Sequence, residues 1–208
     1  MNTKTKKMTT IAMLVAASFV AVVLFRVPII LFLKYEPKDV IITIGGFIFG
    51  PQTAFLTSLF VSLIEMIAIS DTGPIGAIMN FLGSVSFAVT ASYIYKKHHT
   101  KTGALLGLTS GALCMTIVML LWNYLITPLY MGLEREVVAA MLIPYFLPFN
   151  LLKSGINAGI ILFIYKPVVN ALRRQEVTAE SKKLGLSLLG LGILITCILI
   201  VLVWTKVI

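Results

Sequence analysis

Seven apolar stretches, parted by short polar segments, take up most of the 208-residue chain, at 8–33, 40–50, 52–69, 74–95, 103–126, 144–165 and 184–205. A helix that crosses a bilayer needs about 20 apolar residues, so this length with short loops has room for roughly six or seven crossings. Composition agrees: 59% of residues are hydrophobic and only 12% charged, with a mean hydropathy of +1.00. A water-soluble domain carries about 25% charged residues. With 15 Gly in no period, 8 Pro and 2 Cys, the chain is neither collagen-like, disordered nor a disulfide scaffold. No segment is large or polar enough to hold a nucleotide, so any energy for work must come from an ion gradient or a partner.

The first stretch follows Lys4, Lys6 and Lys7 as a signal peptide would, but it outruns an h-region and reads as a retained helix. Stretch 40–50 is only 11 residues, about 16 Å as a helix. It reads as a short second crossing that meets the third stretch at Gly50-Pro51, the alternative being a half-helix that enters the membrane and lines a cavity. Residues 173–183 form a polar linker, and 184–208 an additional helix with no charge at membrane depth. The expectation is an all-α polytopic membrane bundle: a six-helix core over 1–172 with an appended seventh C-terminal transmembrane helix.

Seventeen basic against eight acidic residues give a formal charge of +9. Lys4, Lys6, Lys7, Lys96, Lys97, Lys101, Lys166, Arg173, Arg174, Lys182 and Lys183 fall on one side of this arrangement, and Glu36, Asp39, Asp71, Glu134 and Glu136 on the other. The positive-inside rule then sets the N-terminus in the cytoplasm of a bacterial cell and the acidic loops outside. The charge is accounted for by topology, and no nucleic-acid partner is expected.

Polar side chains at membrane depth tend to mark function. Asn150, Lys153 and Asn157 stand at i, i+3 and i+7, one face of the sixth span. Two carboxamides and an ammonium suit a neutral ligand rich in carbonyls and hydroxyls. Asn123 lies near the outer end of the fifth span and Asn80 in the fourth, where either also fits an interhelical hydrogen bond. Lys34, Tyr35, Glu36, Lys38 and Asp39 crowd the first outer loop, stiffened by Pro37, and suggest a lid or pocket wall. Arg26 and Glu65, near the outer ends of their spans, are candidates to pair. Ala12, Ala16, Ala17 and Ala21 form small-xxx-small pairs on the first helix, a smooth face for another helix, internal or external. His98 and His99 sit among loop lysines, Cys114 and Cys197 on separate spans, and no metal spacing or catalytic motif is present.

Three segments, KYEPKDVIITIGGFIFGP at 34–51, NYLITPLYMG at 123–132 and PFNLLKSGINAGIILFIYKP at 148–167, give the chain its resemblance, over roughly 8–170, to the substrate-binding S components of energy-coupling factor (ECF) vitamin transporters, most closely the riboflavin-specific one. The resemblance implies a six-helix S component that is not an enzyme. It would bind riboflavin, or FMN, as transported ligand rather than cofactor, in a pocket near the extracellular face capped by the first loop. A transmembrane coupling protein and two cytosolic ATPases would drive it, with Ala12, Ala16 and Ala17 docking onto the coupling protein. Flavin contacts carried over by motif are Asn150, Lys153, Asn123 and Thr43, with Tyr35, Asp39, Asn80 and Asn157 as further polar candidates. Phe47, Met79, Phe81 and Tyr145 are candidates to flank the ring. The alternative reading is a stand-alone ion-coupled secondary transporter, with Glu65 or Lys153 as its proton-linked group.

Overall fold

The computed structural model describes residues 3–30, 33–70 and 72–172, together with positions 191, 193–195 and 197. Helix α1 runs Thr3–Phe25, and α2 Lys38–Phe49, α3 Pro51–Ala68, α4 Gly73–Lys97 and α5 Lys101–Met131 follow. A short α6, Arg135–Met141, passes through a π-helical turn, Leu142–Phe146, into α7, Leu147–Leu172. The π turn holds Pro144, and Pro148 follows it; a proline nitrogen cannot donate, which interrupts the α-helical ladder.

The all-α expectation needs one amendment. The first apolar stretch does not continue as helix to residue 33: α1 stops at Phe25, and Val27–Ile30 (β1) pairs antiparallel with Leu33–Tyr35 (β2), with Val27 opposite Tyr35. Pro28 disfavours helix across this point, and Val27, Ile29 and Ile30 favour extended backbone. The ladder is irregular between Pro28 and Ile30, where proline has no N–H to give.

Five helical segments, rather than six, are long and apolar enough to cross a membrane among the described residues: Lys4–Phe25, Pro51–Ala68, Gly73–Lys97, Lys101–Met131 and Arg135–Ile164. The shortfall is α2. Its 12 residues reach about 18 Å against a hydrocarbon core of about 30 Å, so it is a half-length helix held inside the bundle against α1, α3, α4 and α7. Gly50, with φ of 96°, makes the reversal into α3, whose first residue is Pro51. The expected linker 173–183 lies outside the described residues, as does most of 184–208; the described positions there are helical, and Ile193 packs on the main core.

Large apolar side chains cover the outside, among them Leu113, Ile117, Leu121, Leu129 and Ile143, while charged and hydroxyl residues are buried within. This arrangement suits hydrocarbon solvent and inverts that of a soluble bundle. The tightest seam joins α4 to α5. A Cβ on Gly107 would lie 2.7 Å from the Ala91 carbonyl oxygen, and one on Gly111 2.6 Å from that of Phe87, so only glycine permits the approach. The C-terminal ends of α1, α3 and α5, the N-terminal ends of α4 and α7 and the β-hairpin gather at one end of the bundle around a cavity.

Candidate functional site

The cavity encloses about 250 Å³, slightly below the roughly 300–1,000 Å³ usual for small-molecule sites. Met79, Met115, Met119 and Phe149 give it an apolar lining, and Arg26, Leu33, Lys34 and Glu36 contribute from the hairpin side. Methionine is flexible and polarizable and adapts to a flat ring. Polar groups stand on two walls: Asn123, Asn150 and Lys153 on α5 and α7, and Glu65 and Asn80 on α3 and α4, with Ser70 and Thr72 between them.

Each amide is braced by its own helix. Asn123 donates from Nδ2 to the Met119 carbonyl (2.7 Å) and accepts from Thr127 Oγ1 (2.9 Å); Asn150 donates to the Phe146 carbonyl (2.8 Å), at the junction of the π turn and α7. One donor hydrogen on each amide stays available to a ligand. Lys153, 9% exposed, has Nζ 3.8 Å from Asp39 Oδ2.

Beneath the hairpin lies a buried ionic cluster. Lys38, 1% exposed, meets Glu36 Oε2 at 2.9 Å and Glu65 Oε2 at 2.5 Å. Arg26 sets Nε 3.0 Å from Glu36 Oε1, an ion pair without hydrogen-bond alignment, and donates from NH1 to the Ile69 carbonyl (3.1 Å). Asn80 donates to Glu65 Oε2 (2.9 Å). Asp39, fully buried, accepts from Ser84 Oγ (2.5 Å) and from Asn157 Nδ2 (3.5 Å), while Tyr35 donates its hydroxyl to Asn157 Oδ1 (2.9 Å). The cations Arg26, Lys38 and Lys153 thus balance the carboxylates Glu36, Asp39 and Glu65, as buried charge requires.

Several expectations are corrected by this geometry. Arg26 pairs with Glu36 rather than Glu65, because Lys38 takes Glu65. Lys38 and Asp39 are not loop residues at the mouth; they open α2 and are buried. Of the candidate contacts, Asn80, Asn123, Asn150, Lys153 and Met79 line the cavity, whereas Tyr35, Asp39, Thr43, Phe47 and Asn157 do not. Asn157 is on the stripe of Asn150 and Lys153, but its depth gives it to Tyr35 and Asp39. Thr43 Oγ1 donates to the Asp39 carbonyl (2.6 Å), and Phe47 stacks on Tyr95 with centroids 4.3 Å apart. Phe81 meets Phe55 edge-on (5.5 Å), and Tyr145 is exposed. The structure adds Met115, Met119, Tyr130, Ser70 and Thr72 to the lining and Ser84 to the Asp39 network; nothing in their spacing distinguishes them from packing residues. Ala12, Ala16 and Ala17 face outward on α1, uncovered by the described residues.

Two titrating groups of the hairpin region lie outside the spans. Burial first, then the Asp39 charge, push the Tyr35 phenol upward, which keeps it a donor. For Glu36, burial acts upward, but Lys38, Lys153 and Arg26 outweigh it and hold the carboxyl down from the ordinary 4.5 to about 2. A pKa depressed by folding stabilises the fold above its ordinary value, and that stability is lost as pH falls through the folded value. The melting temperature is therefore expected to be level from neutral pH to about 4.5 and to drop toward about 2. A Glu36→Gln variant should show a shallower acid slope in the same thermal scan; identical slopes would place the acid sensitivity on another group.

An apolar exterior, a polar interior and a cavity at one end of the bundle define a membrane protein built to hold a small solute. More particularly, the chain belongs to the family "ECF transporter, substrate-specific component", whose family model matches residues 6–165. It is 30% identical over 177 residues to the riboflavin transporter RibU of Staphylococcus aureus (strain TCH60), across 81% of this chain and 93% of that one. It is 31% identical over 183 residues to the riboflavin transporter RibU of Streptococcus thermophilus, across 82% and 86%. With the riboflavin transporter FmnP of Bacillus subtilis (strain 168) the identity is 26% over 188 residues, across 84% and 99%. A solved S component of a bacterial ECF transporter superposes with a TM-score of 0.69 at 29% identity, covering 82% of this chain and 99% of that one. These relatives are transporters, for which riboflavin is substrate and not cofactor, and the chain is a transport protein rather than an enzyme.

Proposed function

We propose that this chain is the riboflavin-binding S component of an ATP-driven ECF transporter, which takes the vitamin from the extracellular side of the cytoplasmic membrane. The observation that carries the reading is the wall formed by Asn123, Asn150 and Lys153 in a methionine-lined cavity. Riboflavin is a neutral planar ring edged with alternating donors and acceptors. The two braced amides offer both functions, the ammonium donates to ring carbonyls, and the methionines take the ring faces.

In this reading the N-terminus is cytoplasmic, the cavity opens outward and the hairpin is its cover. Ala12, Ala16 and Ala17, exposed on α1, dock on the membrane coupling protein that brings two ATPases. Such a row of small side chains lets a partner helix approach closely.

The test begins with purification in detergent without added ligand. A yellow protein with quenched flavin fluorescence and a dissociation constant on the order of nanomolar is expected. Asn150→Ala and Lys153→Ala should each weaken binding by more than about tenfold, since each leaves polar ligand atoms unpaired at about 1–3 kcal/mol. Absence of flavin binding would overturn the substrate. Riboflavin uptake by vesicles that contain this chain alone, driven by a pH gradient, would overturn the dependence on ATP-hydrolysing partners.

A further inference from the structure

We propose that Glu65 selects for a hydroxyl-bearing tail on the ligand, and so sets the preference for a free polyol over a phosphorylated or alkyl tail; this deepens the flavin reading and rests on it. Glu65 lies on the cavity wall, 2% exposed, and its two oxygens differ. Oε2 accepts from both Lys38 Nζ and Asn80 Nδ2, while Oε1 is buried with no hydrogen-bond donor among the described residues. Two donors on one oxygen fix the orientation of the carboxylate, and a buried acceptor left without a donor is a deficit that a ligand hydroxyl removes. An O–H to carboxylate bond is among the stronger neutral-to-charged contacts.

The division of the cavity places this demand on the tail. The α5–α7 wall carries the amides and the ammonium that match a ring edge, so the α3–α4 wall receives what the ring bears. There Ser70, Thr72 and Asn80 accompany Glu65, a set of donors and acceptors that fits a chain of hydroxyls. A site that holds a buried polar group for a substrate hydroxyl rejects the analogue without it, because that group is then unpaired. A tail phosphate carries negative charge at neutral pH and has little to donate to the Glu65 carboxylate; the cations Arg26 and Lys34 on the hairpin side of the cavity draw it away from that wall instead.

Flavin fluorescence quenching on the purified full-length protein tests this with four ligands: riboflavin, lumiflavin with no tail, a flavin with a pentyl chain in place of the polyol, and FMN. The native protein is expected to bind riboflavin about 10- to 100-fold more tightly than the pentyl flavin. In Glu65→Gln, riboflavin affinity should fall about tenfold further than lumiflavin affinity, and the gap between riboflavin and FMN should narrow. Asn80→Ala, which frees the carboxylate to turn, should shift the same ratios in the same direction. Equal losses for riboflavin and lumiflavin in both variants would make Glu65 a packing residue and overturn the proposal. Pentyl flavin bound by the native protein as tightly as riboflavin would overturn it without any variant. A native protein that binds none of the four overturns the flavin reading itself, an outcome distinct from these two.

Discussion

Replacing Lys38 with methionine is expected to lower the stability of the folded chain by about 3–5 kcal/mol, because it strands the Glu65 carboxylate inside the bundle and takes from Glu36 one of its two cations. Lys38 is 1% exposed and contacts both Glu36 and Glu65. Glu36 keeps Arg26 at 3.0 Å, and Glu65 keeps only the neutral Asn80. Methionine fills nearly the volume of lysine, so the lost charge rather than a void carries the effect. The triple variant in which Glu36 and Glu65 also become glutamine should recover a large part of the loss, since amides do not bear the penalty of an unpaired ion. Thermal unfolding of the detergent-solubilised variants measures both. A midpoint for Lys38→Met no lower than that of Lys97→Met, which alters an exposed lysine at the opposite end of α4, would show that the buried cation is not structural.

The second large effect is expected at the α4–α5 seam. Substituting alanine at both Gly107 and Gly111 places new methyl groups 2.7 and 2.6 Å from backbone carbonyl oxygens. Backbone cannot turn aside as a side chain does, so the helices must separate, at a cost of about 1–3 kcal/mol per site. The same two helices carry Met79, Asn80 and Gly83 opposite Met115, Met119 and Asn123 around the cavity. Parting them widens the slot for a planar ligand, and riboflavin affinity should fall along with the melting temperature. A double variant that melts and binds as the parent does would mean that the helices are not in close approach.

How far the sequence speaks for this fold follows from which of its signals are local. Apolar length and the Lys/Arg distribution place the membrane segments, and the spacing of Asn150, Lys153 and Asn157 places them on one face of a helix. Spacing does not give depth, however, and seven residues along α7 separate a cavity residue from one bonded to Tyr35 and Asp39. Pairing is equally hidden: three cations and three carboxylates converge from α2, α3, α7 and the residues that flank the hairpin, and nothing along the chain says that Lys38 rather than Arg26 takes Glu65. The misreading of Lys38 and Asp39 as loop charges has the same origin. A dense run of charge ordinarily marks a solvated connector, and only the packing of neighbouring helices makes it the buried first turn of α2. Phe47 belongs to α2 as expected, but with 12 residues the helix has carried it down to Tyr95, away from the cavity.

The balance of Arg26, Lys38 and Lys153 against Glu36, Asp39 and Glu65 has an electrical consequence. A single uncompensated charge carried across a membrane held at 100 mV exchanges about 2.3 kcal/mol with that voltage. The buried cluster, whose formal charges cancel, exchanges almost nothing, so any work the membrane voltage does on this chain falls on its other charges, which carry the whole net +9.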